Sequence, residues 1–200
     1  VVFDHMEQLP VYLMTIDEDG EGVSYVSLVE SPAIERPFIA LSKQHRFAED
    51  AALRILTGPL MLADTPIIRS DDTRGKYYVM FDKDTIRKMV QKYFKQQNQA
   101  KVNAEHSKPL DGVYMFESYL IDRERGVNPP KGFEDAPDGS WFGSFKVEND
   151  KVWEERDQFT GFSIEGYFGM QATESSLEAA MASLEEAFSV FLHTIQTRGI

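Results

Sequence analysis

The chain has 200 residues, 42% of them hydrophobic and 27% charged, a balance that specifies a folded domain with a sizeable core and excludes a disordered chain. A net charge of −12 and a pI near 4.8 argue against nucleic-acid binding, which needs a basic face, and suit a basic partner or simple solubility. Cysteine is absent, which excludes disulfides, a thiol nucleophile and a zinc-thiolate site and fits a reducing compartment.

No apolar run reaches the roughly 18 residues of a membrane span, and VVFDHMEQLP lacks the charged start and cleavage site of a signal peptide. A first residue of Val rather than Met suits a fragment of a longer product. In chain order, 11–16 and 23–29 read as strands joined in a hairpin by the acidic turn DEDGEG, with Asp19-Gly20 as its turn signal. Pro32 and Pro37 then end regular pairing. The apolar run 51–56 has no assigned type, and 58–63 and 66–68 are extended candidates.

Asp82 or Asp84 is placed to cap a helix over 85–97. Ile86, Met89, Val90, Tyr93 and Phe94 share one face of it, and Lys83, Arg87, Lys88, Lys92 and Lys95 form a solvated opposite face. His106 follows Val102 and Ala104 and precedes a turn over 107–112; a strand over 113–121 comes next. Residues 125–143, rich in Gly and Pro, read as a long surface loop of the binding-loop or lid kind. A strand over 144–147 and a short helix over 149–157, with Val152 and Trp153 inward, lead into a strand carrying Ser163. In the tail, Ser175 and Glu178 make a capping box. Leu177, Met181, Leu184, Phe188, Phe191 and Ile195 then repeat as a heptad seam, either packed on the same domain or pairing two copies. The expected organisation is a domain over 1–170 and an amphipathic helix over 171–200.

Chemistry concentrates in DQFTGFSIEGYF. Ser163 lies between Gly161 and Gly166 and alternates with Phe162 and Ile164, as in a strand with a close backbone approach. It reads as a nucleophile facing substrate or as a small wall residue, and spacing alone favours the second. It does not stand in GxSxG, so a strand-to-helix nucleophile elbow is excluded. A serine nucleophile needs a base and a group to orient it. Of His5, His45, His106 and His193, His106 is best placed, at a strand end beside a turn, although a lone histidine is more often structural. Glu165 shares the strand face of Ser163 by alternation. Metal spacing, Walker loop and GxGxxG are all missing, and no cofactor is expected.

Four stretches carry a resemblance: YVSLVESPAI; GPLMLADTPIIR with YYVMFDKDTIRKMVQKYFKQQ; NAEHSKP with VYMFESYLID; and DGSWFGSFKVENDKVWEERDQFTGFSIEGYF. In order and wording they resemble the prohead serine proteases of tailed bacteriophages, XkdF type, which are related to the herpesvirus assemblin fold. The resemblance spans roughly 11–170. It implies a β-rich α+β fold, a small mostly antiparallel β-barrel with helices around it. It also implies a serine endopeptidase using Ser163 and His106, 57 residues apart. The implied substrates are phage scaffold and major capsid proteins and the enzyme itself, inside the prohead in the bacterial cytoplasm; neither nucleic acid nor membrane is an expected partner. YVSLVESPAI precedes the serine strand here and follows it in many relatives, which suggests a permuted strand order. Where some relatives carry an acid in that strand, this chain has Tyr25 and Ser27. Glu117 resembles a glutamate seen after the family histidine and is taken as the third catalytic residue or as a structural wall or rim carboxylate; Glu165, Ser27 or no third residue are the alternatives. A loop N–H from 139–143 is a candidate oxyanion donor. The competing readings are a non-enzymatic head or scaffold protein with the same fold, and an oligomeric module acting through its tail.

Overall fold

The computed structural model describes residues 9–16, 22–30, 48–50 and 53–174. The tail seam and His5, His45 and His193 lie outside these residues. The described elements are β1 (Val11–Thr15), β2 (Gly22–Val29), β3 (Ala48–Asp50), β4 (Ile55–Met61), β5 (Ile67–Asp71), β6 (Gly75–Met80), α1 (Lys83–Lys95), β7 (Val102–Ala104), β8 (Lys108–Pro109), β9 (Val113–Leu120), β10 (Trp141–Val147), α2 (Asp150–Glu154), β11 (Gly161–Tyr167) and β12 (Gly169–Ala172). The fold is β-rich α+β. Among the described residues no helix is long and apolar enough to cross a membrane.

The strands form three four-stranded sheets, ordered β12-β1-β6-β5, β3-β4-β10-β9 and β11-β2-β7-β8. Pairing is antiparallel except between β1 and β6 and between β2 and β7. The expected barrel is therefore not formed by the described strands. A barrel needs one ladder that closes on itself, and here each sheet keeps two edges, β11 being one of them.

The expected hairpin between the first two strands is also absent. Thr15 pairs with Gly169 on β12, while Gly22 pairs with Tyr167 on β11. The two segments are successive partners of one bent strand, not of each other. That strand leaves one sheet for the next at Phe168. Gly166 lets the crossing happen, since a Cβ there would stand 2.0 Å from the Gly22 carbonyl oxygen. The pairing of β12 with β1 runs to Ala172, opposite Tyr12.

The helix over 85–97 is present as α1. Asp82 caps it, accepting from the Thr85 amide at 2.7 Å. Ile86, Met89 and Tyr93 are buried and pack into the core that joins the three sheets. The Tyr93 ring meets Trp141 edge-on, centroids 5.2 Å apart. The Phe162 ring from β11 reaches Phe145 of β10 at 4.5 Å, which ties the serine strand to the middle sheet. Burying each of these phenylalanines contributes about 1.5–3 kcal/mol.

The loop after β9 is fastened rather than loose. Phe133 and Ala136 bury against Leu62, Ile121 and Phe142. Arg123 holds it from within, pairing with Asp138 and donating to the Glu134 and Ala136 carbonyls. Strand β10 starts at Trp141, so Gly143 sits inside a central strand, opposite Gly58 and Ser118. The sheet takes its backbone groups, and 139–143 is not a free oxyanion loop.

Candidate active site

The sheet β11-β2-β7-β8 builds the site on one face. Its other face carries Val26, Leu28, Val102 and Phe162 into the core. Ser163 stands directly opposite Ser27 in the β11–β2 ladder, and Ser27 opposite Asn103 in the β2–β7 ladder. Directly paired residues point to the same side of a sheet, so two serines and an asparagine line one face. Glu165, two residues beyond Ser163, joins them.

His106 arrives over this face from the turn between β7 and β8. The Ser107 amide closes the turn on the Ala104 carbonyl at 3.1 Å, and Glu105 and His106 adopt φ of 49° and 56°. Two successive positive φ values suit a tight hairpin but are uncommon outside glycine and asparagine, and such strain clusters at functional sites. Glu105 anchors the turn to the end of β2. Its amide donates to the Leu28 carbonyl at 3.1 Å, and its carboxylate accepts from the Glu30 amide at 2.7 Å.

One carboxylate oxygen gathers the cluster. Glu165 Oε1 accepts from Ser27 Oγ at 2.5 Å and from Asn103 Nδ2 at 2.5 Å, and lies 3.2 Å from His106 Nδ1. Ser27 Oγ also lies 3.1 Å from His106 Nδ1. The Ser27 hydroxyl has one proton and gives it to Glu165, so in the Ser27 contact Nδ1 is the donor. That tautomer leaves the lone pair of a neutral imidazole on Nε2. Partial burial pushes the Glu165 carboxyl up, but hydrogen bonds from Ser27, Asn103 and His106, with the charge His106 can carry, outweigh it. The net effect holds Glu165 below the usual carboxylate range, as a stable anion.

The two serines differ in access. Ser27 is wholly buried, whereas Ser163 is 7% exposed and lines a cavity of about 230 Å³. The other walls include Met14, Met61, Ile67, Val79, Phe81 and Phe168. Among the described residues, no hydrogen bond joins Ser163 Oγ to His106.

Ser163, His106 and Glu165 are thus brought to one face, with Ser27 beside them. Glu117 is not. It lies on β9 in another sheet and accepts from Ser144 Oγ at 2.5 Å, while Ser144 accepts from Thr57. Asn103 went unnoticed in the sequence, although a polar residue between Val102 and Ala104 in a short apolar strand was a signal. Among the described residues no group of three or more His, Cys, Asp or Glu could hold a metal ion. Nor do the acids Asp71-Asp72 form a cation loop: Asp71 accepts from the Thr73 and Arg74 amides and from Arg74 Nη1 in a hairpin turn.

Fold and site describe a β-rich α+β protein that displays a serine, a histidine and an ionised carboxylate on one sheet face. A family model described as "Putative phage serine protease XkdF" matches residues 61–171, more than half of the chain, and the chain belongs to that phage serine protease family. No curated protein and no solved structure matches it. The matched span contains Asn103, His106, Ser163 and Glu165; Ser27 enters from before it.

Proposed function

We propose that the protein is a serine endopeptidase with Ser163 as nucleophile, His106 as general base and Glu165 as the carboxylate that orients the base. The observation that carries this reading is the Glu165–His106 Nδ1 contact of 3.2 Å, made from the strand that also presents Ser163. His106 Nε2 takes the Ser163 proton as Oγ attacks the peptide carbonyl carbon. The tetrahedral intermediate collapses when His106 returns that proton to the leaving amine. Water, deprotonated by the same nitrogen, then releases the acyl group and restores Ser163. Catalytic hydrogen bonds in a free enzyme are commonly long and tighten on substrate binding, in keeping with the lack of a Ser163–His106 bond among the described residues. Ser27 and Asn103 hold Glu165 and meet no substrate.

The membership in a phage serine protease family supports a role in maturing the phage head, where the enzyme cuts scaffold and major capsid proteins and itself inside the prohead in the bacterial cytoplasm. Kinship with herpesvirus assemblins, and pairing of two copies through the Leu177–Ile195 tail seam, belong to the same proposal. The test is co-expression with the neighbouring scaffold and capsid genes, read by mass spectrometry. Wild type should process its partners and Ser163→Ala should leave them intact. Equal processing by both would remove Ser163 from the mechanism.

A further inference from the structure

The cavity beside Ser163 is mostly apolar, its polar groups coming from Arg69, Tyr77 and Ser163. Of its lining residues only Arg69 is charged, on β5 at the exposed rim. Arg69 Nη1 donates to the neighbouring Ile68 carbonyl at 2.9 Å, and the guanidinium has no ion pair among the described residues. The nearest acid on its strand, Asp71, is engaged by Arg74 at 2.7 Å. In a chain of net charge −12, a guanidinium left without a carboxylate at the mouth of an apolar cavity is a local reversal of sign. Desolvation pulls its pKa down, offset only in part by the neighbouring Tyr77, in keeping with a cation partly withdrawn from water. A guanidinium in this state binds carboxylates through paired, charge-assisted hydrogen bonds.

We infer that this cavity selects an extended peptide in which a large apolar side chain fills the Met61–Val79–Phe81–Phe168 walls and a nearby acidic side chain pairs with Arg69. The inference rests on the peptidase reading, since it makes the cavity the recognition site for the segment presented to Ser163. It also divides the electrostatics. The overall acidity favours a basic partner at long range, while the contact beside the nucleophile favours an acid. A volume of about 230 Å³ suits one or two side chains, below the roughly 300–1,000 Å³ of pockets that hold whole small molecules.

The test uses the full chain carrying Ser163→Ala, which binds without turning over. The probes are fluorescein-labelled alanine hexapeptides with one Leu and one Glu, the Glu stepped through the other positions, each with a Gln twin. Fluorescence anisotropy should find at least one Glu probe bound about tenfold more tightly than its twin. Adding Arg69→Ala should erase that difference, and Arg69→Glu should transfer the preference to a Lys probe. Thermal melts confirm that these rim variants fold. Glu probes that bind no better than their twins, no binding by any probe, or a preference that survives Arg69→Ala would each overturn the inference. Cleavage by the wild type is followed separately. Its absence would remove the peptidase reading and leave a measured Arg69 preference standing.

Discussion

Ser27 and Ser163 face each other across the β2–β11 ladder, yet only Ser163 of the two borders the cavity. Ser27 is sealed and bonded to Glu165 and His106. Ser163→Ala should therefore abolish peptidase activity, a loss of about 10³-fold or more, with a melting temperature close to wild type. Ser27→Ala should keep a measurable rate, lowered about 10–100-fold by a less well-held Glu165, and cost about 1–2 kcal/mol. Paired kinetics and denaturant titrations read both.

Glu165→Gln and Glu117→Gln should separate the two carboxylates. The first removes the charge that orients His106 and should lower kcat by about 10²–10⁴-fold, with KM little changed. The second only weakens the bond to Ser144, costs about 1 kcal/mol and should leave kcat within about twofold of wild type. An inactive Glu117→Gln with active Glu165→Gln would reverse the assignment.

The pH dependence follows from the lowered Glu165 pKa. A carboxylate whose folded pKa lies below its unfolded value stabilises the fold above the unfolded value. That stabilisation is lost as pH falls through the folded pKa. The melting-temperature gap between wild type and Glu165→Gln should be full above about pH 5 and close progressively in acid. A gap that widens toward acid would contradict the hydrogen bonds drawn to Oε1.

Asn103→Asp places a second carboxylate beside the first. Two like charges at this distance cannot both ionise freely, so the apparent pKa of the pair rises. The acid limb of the kcat/KM profile should move upward, and the shift should vanish in the Asn103→Asp, Glu165→Gln double variant.

Gly166→Ala tests the bent strand. Its Cβ would lie 2.0 Å from the Gly22 carbonyl oxygen and 2.8 Å from the Gly22 carbonyl carbon, so backbone must move. A loss of about 2–4 kcal/mol is expected, with activity falling alongside because Glu165 is the adjacent residue.

Local patterns were legible in the sequence where local physics decides. The capped α1 helix, the strand of Ser163 and the α2 turn, with Asn149 accepting from the Val152 amide at 3.2 Å, all follow from cap chemistry and periodicity. Glu165 was within reach because alternation alone sets it on the face of Ser163. Pairing was less legible. DEDGEG carries a turn signal, but the strands around it take their ladder partners from β12 and β11, and that long-range pairing overrides the local preference. Glu117 followed His106 closely in sequence, and nearness along the chain said nothing about which sheet would receive it. The barrel came with the resemblance, and strand propensity cannot report whether a ladder closes.

The Ser27–Glu165 bond joins residues 138 apart, and the Ser27–His106 contact spans 79. Such closures carry a high entropic cost and form after local structure. The hydroxyl, imidazole and carboxylate therefore meet only once residue 165 has been synthesised and β11 has docked on β2. During synthesis the ribosome-bound chain holds the histidine and its turn long before it has a nucleophile to activate. Under the proposed function, the order of translation thus makes the complete serine, histidine and carboxylate site the last part of this sheet face to assemble.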